Sequence, residues 1–226
     1  MLSHDFHSHL MPGVDDGSQS AVETVAMARG LADLGVRRVY LTPHQFKLGN
    51  RFEPVELDRR TAQVARLLEE ARIDLEVRRG AEHLYGEQLL DAIAGGGELA
   101  TLERDGERCL LVELPLNQPV VGVRRVGEAL ARRGLLPILA HPERTAGLSR
   151  DLGRALGWRD AGWRFQLNLP SLIGRHGPEA REVSGTLLAD GLYDFAGSDL
   201  HRPAELDRLR AAHEAFRALV PHEVTR

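Results

Sequence analysis

The stretch Asp5-Phe6-His7-Ser8-His9 lies in the chain's first predicted strand, over residues 4–9. Residues two apart in an extended strand point to the same side, so His7 and His9 can approach one ion together. Imidazole is the commonest metal-binding side chain, but single His-x-His pairs also occur by chance on protein surfaces. The meaning of this pair therefore depends on the residues at which the later strands end.

Seven strand-loop-helix units follow one another along the chain. Their strands are predicted to end at or just before, in chain order, His9, His44, Glu82, Glu113, His141, Asn168 and His201. Alternating strands and helices predict a parallel sheet with right-handed crossovers. Seven such strands within about 200 residues fit a closed or nearly closed barrel better than an open sheet. We therefore expect an α/β fold, a seven-stranded (β/α) barrel, in a single domain over residues 1–226.

The spacing of apolar residues, together with residues typical of helix termini, predicts the helices between these strands. Ser20 and Glu23 have the pattern of a capping box at the start of the first helix. Helical spacing predicts that its buried face contains Val22, Val25, Ala28 and Leu31. A later helix is predicted over residues 119–133 and stops at Gly134.

The composition narrows the function classes. With 42% hydrophobic and 27% charged residues the chain can form a sizeable core, and a net charge of -4 argues against a nucleic-acid-binding surface. Cys109 is the only cysteine, so an internal disulfide is excluded. We find neither a signal peptide nor an apolar run of membrane-spanning length, and we expect a cytoplasmic protein without direct membrane insertion. Glycine-rich phosphate loops, dinucleotide fingerprints and Gly-x-Ser-x-Gly elbows are also absent from the sequence.

The carboxyl ends of barrel strands are where active sites of such folds lie. The groups predicted at this edge are His7, His9, His44, Glu82, Glu113, His141, Asp199 and His201. Each has an ordinary explanation alone: His44 could be a turn residue, and Glu82 could pair with Arg79 or Arg78 on the surface. Glu113 follows four apolar residues, and a carboxylate there must be paired, protonated or bound to a cation. The collection as a whole predicts a metal site.

The remaining histidines do not fit this pattern. We interpret them as ordinary polar residues, with His83 the closest to an exception because it adjoins Glu82: His4, His83, His176, His213 and His222.

Five segments resemble, in this order, the motifs of the PHP (polymerase and histidinol phosphatase) superfamily: His7-Ser8-His9, Pro43-His44, Gly80-Ala81-Glu82, Leu139-Ala140-His141-Pro142-Glu143-Arg144 and Ser198-Asp199-Leu200-His201. More narrowly, the chain looks like the manganese-dependent protein-tyrosine phosphatases of bacterial capsule and exopolysaccharide gene clusters. The loop 13–17 and the segment 140–144 are the most specific marks of that subgroup. The resemblance covers about residues 4–203 and implies a distorted seven-stranded (β/α)7 barrel of the PHP type with a trinuclear metal site.

The resemblance also implies a set of ligands for three divalent ions. By ion, they are His7, His9, Glu82 and Asp199; Glu82, Glu113 and His141; and Asp16, His44 and His201. Asp15 is the rival for Asp16, and the sequence leaves the choice between them open. Manganese is the metal implied, while ligands of mixed imidazole and carboxylate type also suit iron or zinc.

Two arginines follow from the same resemblance as catalytic residues. Arg144 would meet the substrate phosphate as a planar donor, and Arg202 is the second candidate, in a loop that is shorter here than in the family. Clustered divalent ions would make hydroxide available near neutral pH for in-line attack on phosphorus. The implied substrate is a phosphotyrosine protein, the tail of a membrane tyrosine kinase that controls polysaccharide export.

Other functions compete with this interpretation. Another PHP phosphoesterase, such as a histidinol phosphatase or a nucleotide phosphatase, would use the same metal residues. A non-catalytic metal-binding scaffold is less favoured because the ligand set is full. An amidohydrolase would need a lysine near a strand end, whereas the only lysine, Lys47, is predicted in a loop. Cys109 lies in an apolar run without the phosphate loop of cysteine phosphatases, so a phosphocysteine intermediate is rejected.

Overall fold

Strands and helices alternate along the computed structural model, which describes residues 2–47 and 49–220. The strands are β1 (His4–Ser8), β2 (Arg38–Leu41), β3 (His44–Gln45), β4 (Glu76–Arg79), β5 (Glu82–Leu84), β6 (Leu102–Arg104), β7 (Glu107–Glu113), β8 (Leu136–Ala140), β9 (Arg164–Asn168) and β10 (Phe195–Gly197). The α-helices are α1 (Ala21–Asp33), α2 (Pro54–Glu70), α3 (Glu87–Ala94), α4 (Val123–Arg132), α5 (Gly153–Asp160), α6 (Pro178–Ala189) and α7 (Leu206–Leu219). Short 3₁₀ turns follow several strand ends, among them Pro142–Arg144 after β8 and Leu169–Ile173 after β9.

Two of the seven predicted strands are interrupted. Thr42 and Pro43 separate β2 from β3, because proline has no N–H to donate to a ladder, and Gly80 and Ala81 separate β4 from β5. One parallel sheet has the order β1-β2-β4, and the other has the order β10-β9-β8-β7-β5-β3. With each interrupted pair counted as one strand, seven parallel positions form the predicted barrel. The short β6 is an addition that pairs antiparallel with β7.

The barrel closes where β10 meets β1. The N–H of Asp199 donates to the carbonyl of His7 over 2.8 Å, and the N–H of His9 donates to the carbonyl of Leu200 over 3.0 Å. Gly197 makes this approach possible, because a Cβ at that position would lie 2.6 Å from the Cβ of His7. Closure therefore brings the first and last motifs of the sequence side by side.

Apolar residues fill the barrel interior and the space between strands and helices. The interior cluster is drawn from strands around the ring: Phe6, Tyr40, Leu102, Cys109, Leu111, Ile138, Ala140 and Phe195. Cys109 is thus fully buried, and burial raises the pKa of its thiol to about 11. A thiol in this position is not a nucleophile, in agreement with the sequence analysis.

The first and fourth helices differ in detail from their predictions. Ser20 caps α1 by accepting the N–H of Glu23, as predicted, but Val22 is 79% exposed and the buried residues are Thr24, Met27, Ala28 and Leu31. The predicted face was wrong at Val22 because the Thr24 hydroxyl donates to the Leu10 carbonyl and turns that side inward.

Helix α4 begins at Val123 rather than at residue 119, since Gly122 takes a left-handed φ of 81° that stops the helix from extending backwards. Among the described helices, none combines the length and apolar character that crossing a bilayer requires. His222 lies outside the described residues.

Candidate metal centre

The nine predicted ligands converge at the carboxyl edge of the barrel. Donor atoms within 4.8 Å of one another define three overlapping groups: His9, Asp16, His44 and His201; His7, His9 and Glu82; and His44, Glu82 and Glu113. Asp199 and His141 complete the cluster, with Asp199 Oδ1 3.4 Å from the Nε2 atoms of both His7 and His9, and His141 Nε2 3.0 Å from Glu82 Oε1. This edge is the one that the order of strand ends predicted.

Glu82 lies at the middle of the cluster. Its side chain is buried, so the alternative of a surface pair with Arg79 is wrong; Arg79 instead pairs with Asp58. The Oε2 atom of Glu82 lies 2.7 Å from His44 Nδ1 and 3.3 Å from His7 Nε2, while Oε1 faces His141. One carboxylate therefore contacts imidazoles that come from three different strand ends.

The distances between donor atoms fit divalent cations. His7 Nε2 and His9 Nε2 lie 3.2 Å apart, and ligands bound to one ion at about 2.1 Å are separated by about 3.0–3.4 Å. Two buried atoms of the cluster, His44 Nδ1 and Glu82 Oε2, face each other at 2.7 Å without the geometry of a hydrogen bond, and neither makes another hydrogen bond among the described residues. Buried polar atoms are rarely left without a partner, and a bound cation would satisfy both.

Imidazoles and carboxylates shift each other's protonation. Burial alone would lower the pKa of His7 and His44, but Glu82, together with Asp199 for His7, raises these values to about 9 and about 10. Burial alone would raise the pKa of Glu82 and Asp199, yet His7 and the other imidazoles hold both well below the usual carboxylate range. Glu82 and Asp199 are therefore ionised, and a metal ion bound here must displace protons from His7 and His44.

Two cluster residues take backbone conformations that non-glycine residues rarely adopt. His141, directly after β8, has a φ of 31°, and Asp199, two residues after β10, has a φ of 51°. Such conformations cost of order 1–3 kcal/mol and concentrate at functional sites. At both positions the turn aims the side chain back over the barrel mouth.

A second layer of polar residues orients the imidazoles, and part of it was not predicted from the sequence. Asp15 Oδ2 lies 2.8 Å from His9 Nδ1 and accepts the N–H of His44, whereas Asp16 Oδ1 lies 3.2 Å from His44 Nε2 within the cluster. Gln166 Oε1 lies 2.9 Å from His7 Nδ1. Such partners fix the ring and leave the opposite nitrogen for a metal. The sequence signal for Gln166 was its place near the end of β9.

Arg144 lies at the rim of the cluster. Its Nη1 atom donates to Asp199 Oδ2 over 2.8 Å, and Asn168 Nδ2 donates to the same oxygen over 2.8 Å. His176, which the sequence analysis set aside, lies next to them with Nε2 3.2 Å from Asn168 Nδ2. Burial and the charge of Arg144 lower the pKa of His176 to about 3, so its imidazole is neutral.

Glu143 anchors the turn that carries Arg144. Its Oε1 accepts the N–H of Asn168 over 3.0 Å and the hydroxyl of Ser171 over 2.8 Å, and its Oε2 accepts the hydroxyl of Tyr193 over 2.9 Å. Both carboxylate oxygens are thereby engaged within the protein. An ion pair between Glu143 and Arg144 does not account for the position of Arg144.

The two remaining cations of this region lie on different sides. Arg202 donates to the carbonyl of Gly17 and lies 3.5 Å from Glu23, at the start of α1 rather than in the cluster. Lys47, predicted as a loop residue, lies beyond β3 with Nζ 2.8 Å from Glu113 Oε2. No pattern in the sequence indicated this contact, because the loop between β3 and α2 has no periodic pattern.

Three further histidines of the described residues lie outside the cluster. His83 is buried, and its Nδ1 lies 3.2 Å from the Leu111 carbonyl, while burial lowers its pKa to about 4. His213 is buried on α7. His4 lies at the start of β1, at the opposite end of the barrel from the cluster.

A ring of parallel strands with a buried cluster of imidazoles and carboxylates at its carboxyl ends defines the class of barrel metallohydrolases. Residues 3–219 match the model of the family described as capsular polysaccharide synthesis, CpsB/CapC, and the chain belongs to this family. The resemblance inferred from the motifs is thereby confirmed.

Individual relatives agree with this assignment. The chain is 27% identical over 198 residues to the tyrosine-protein phosphatase YwqE of Bacillus subtilis, covering 87% of this chain and 76% of the relative. It is 28% identical over 215 residues to the putative tyrosine-protein phosphatase CapC of Staphylococcus aureus, covering 91% and 81%.

The fold is also that of a solved structure. It superposes with a TM-score of 0.85 and 23% identity, over 99% of this chain and 88% of the other, on a structure from the work on YwqE of Bacillus subtilis and CpsB of Streptococcus pneumoniae, described as unique metal-dependent tyrosine phosphatases. The likeness confirms the predicted PHP-type barrel.

Proposed function

We propose that this protein is a metal-dependent protein-tyrosine phosphatase in bacterial capsule or exopolysaccharide synthesis. The observation that carries the proposal is the cluster of five imidazoles and four carboxylates, buried except at Asp16 and His201 and bordered at its rim by Arg144. The relatives named tyrosine-protein phosphatases support the substrate class, and membership of the CpsB/CapC family supports the biological setting.

Manganese is the metal that we propose, in three sites. The residues that would hold it are His7, His9, Asp16, His44, Glu82, Glu113, His141, Asp199 and His201. This donor set contains nitrogen and oxygen but no thiolate, so iron or zinc would also be accepted. Divalent cations bound here would lower the pKa of water near the substrate and neutralise charge on the phosphoryl oxygens.

The chain's own contribution is to hold and orient the phosphate. We propose that the Arg144 guanidinium donates to two phosphoryl oxygens, with Asp199 and Asn168 fixing its position on the cluster. Asp15 and Gln166 hold the rings of His9 and His7 in a fixed orientation through contacts with the Nδ1 atoms. The leaving group from phosphotyrosine is a phenolate with a pKa of about 10, so strong general-acid assistance is not required.

A cleft beside Arg144 supports a substrate that extends beyond its phosphate. It has a volume of ≈ 550 Å³ and is lined in part by Leu116, Pro119, Arg144 and His176. Ligand clefts of about 300–1,000 Å³ with apolar and polar lining are typical of binding sites. We propose that the tyrosine ring and neighbouring residues of the substrate bind here.

The remaining parts of the proposal concern partner and setting. We propose that the substrate is the phosphorylated tail of a membrane tyrosine kinase, and that the enzyme acts in the cytoplasm as a single domain over residues 1–226. Arg202 stays the second candidate for phosphate contact, although Gly17 and Glu23 now engage its guanidinium.

A panel of substrates tests the proposal on the manganese-loaded protein. We expect kcat/KM for a phosphotyrosyl peptide to exceed that for a phosphoseryl peptide, histidinol phosphate and a nucleoside monophosphate by at least about tenfold. A preference for histidinol phosphate or the nucleotide would instead identify another PHP phosphoesterase. Binding of manganese without hydrolysis of any member of the panel would identify a scaffold protein.

A further inference from the structure

Lys47 lies at the solvent side of the metal cluster. Its Nζ is 2.8 Å from Glu113 Oε2 and 3.2 Å from His44 Nε2, two atoms of proposed ligands. The Lys47 side chain is 27% exposed, whereas Glu113 and His44 are each 4% exposed. The ammonium group is therefore at the rim, above ligands that are buried.

Arg144 occupies the corresponding position at the other end of the cluster. Its side chain is 19% exposed, and the Asp199 carboxylate that it contacts is 7% exposed. Contacts within the cluster run from Asp199 through His7, Glu82 and His141 to Glu113. The two cations thus border opposite ends of one buried series of imidazoles and carboxylates.

Glu113 can serve the cluster and Lys47 at the same time. Its Oε1 faces His141 Nε2 at 3.9 Å, and its Oε2 faces the ammonium of Lys47. Contact with Lys47 therefore leaves one carboxylate oxygen directed at the proposed metal position. An ammonium carries three donors on a flexible stem, so Lys47 can keep this contact while it donates to a further oxygen.

We propose that Lys47 is a catalytic residue that contacts the phosphoryl group of the substrate from the side opposite Arg144. The inference rests on the proposed phosphatase function. A phosphate monoester carries two negative charges, and a cation on each side would hold it over the cluster and stabilise charge as the reaction proceeds. Arg202, the second cation expected from the sequence, contacts Gly17 and Glu23 at the start of α1, whereas Lys47 already contacts two proposed ligands of the cluster.

Lys47 forms no covalent bond in the reaction. The oxygen of water bonds to phosphorus, and the bond from phosphorus to the phenolic oxygen breaks with its electron pair. The phenolate receives one proton from water or solvent, and inorganic phosphate leaves. Lys47 contributes charge and hydrogen bonds to the phosphoryl oxygens throughout.

Three variants test this role on the manganese-loaded protein. Lys47→Met removes the charge at similar length, and Lys47→Arg keeps it. Arg60→Met is the matched control, because Arg60 is 29% exposed and pairs with Glu56 on the surface of α2. The measurements are manganese content, the inhibition constant of inorganic phosphate, and kcat/KM on a phosphotyrosyl peptide.

We expect Lys47→Met to keep its manganese, to weaken inhibition by phosphate about tenfold or more, and to lower kcat/KM by about one to two orders of magnitude. Lys47→Arg should recover most of both losses, and Arg60→Met should match the wild type. Unchanged phosphate inhibition in Lys47→Met would overturn the proposal. A changed manganese content would also overturn it, because Lys47 would then act as a partner of Glu113 in the metal site.

The chemistry of a single lysine offers a second measurement. Reductive methylation followed by mass spectrometry of the Lys47 peptide reports directly on its ammonium group, and inorganic phosphate should slow the modification several-fold. Equal rates with and without phosphate would contradict the contact. This binding measurement needs no turnover, so it remains informative if phosphotyrosine proves to be the wrong substrate.

Discussion

Arg144 donates a hydrogen bond from its Nη1 atom to one carboxylate oxygen of Asp199, Oδ2, over 2.8 Å. The other oxygen of Asp199 faces His7 and His9, each at 3.4 Å. Asp199 therefore separates the proposed metal position from the proposed phosphate-binding position while contacting both. This division lets substitutions of Arg144 be tested for an effect on phosphate that is independent of metal content.

Arg144→Lys should lower catalytic efficiency without loss of metal. Lysine keeps the charge but not the planar pair of donors, so we expect kcat/KM to fall by roughly one to three orders of magnitude, or about 1.4–4 kcal/mol of transition-state stabilisation. Manganese content and steady-state kinetics check this, with Arg60→Lys as the surface control. Near wild-type efficiency at full metal content would remove Arg144 from the site, since exposed ion pairs contribute only about 0–1 kcal/mol.

Removal of the metal should abolish hydrolysis. A strong chelator should extract ions from these carboxylate and imidazole sites, and added manganese should restore activity. Metal analysis and assays before and after treatment provide the measurement, with re-addition of magnesium for comparison. Activity that persists after complete removal of metal would refute the metal-dependent mechanism.

Glu82→Gln should disturb more than one ion. The substitution keeps the shape of a side chain that contacts His7, His44 and His141 but removes its charge. We expect manganese content to fall and turnover to drop by at least about a hundredfold, well beyond any loss of thermal stability. Glu76→Gln is the control, because Glu76 lies exposed on β4 and pairs with Arg38. Full metal content with normal turnover would be inconsistent with a bridging role.

The buried imidazole of His213 should make stability depend on pH. Burial and the charge of Arg217 lower its pKa to about 4, below the value of 6.5 in the unfolded chain. The unfolded state therefore binds the proton more tightly than the folded state. The stabilisation that the neutral, buried His213 provides is complete above about pH 6.5 and is lost as pH falls towards 4.

His213→Leu removes that titration and should flatten the dependence. Between pH 7 and pH 4.5 the wild type should lose about 1–3 kcal/mol of unfolding free energy relative to the variant. Chemical unfolding of both proteins at each pH gives the difference, in which other titrating groups cancel. An equal loss in both proteins would show that His213 does not titrate between the two states.

The sequence by itself determined the barrel and most of the residues that meet at its carboxyl edge. Strand periodicity and the residues at each strand end are local features, and the carboxyl ends of parallel strands must meet at one edge. His7, His44, Glu82, Glu113 and His141 could therefore be assigned to one site before any contact was known. The family resemblance rested on the same residues, because their order along the chain reflects the order of the strands.

Only the tertiary structure decided what lies around that cluster. Asp15 turned to His9 and Asp16 to His44, although the two are neighbours in one loop. Lys47 reached Glu113 from a segment without periodic pattern, and Arg202 turned away to Gly17. Loop conformations depend on contacts between segments far apart in sequence, and neither spacing nor composition records them. On α1, Val22 faces solvent because the buried face, which keeps helical spacing, begins at Thr24, whose hydroxyl donates to the Leu10 carbonyl.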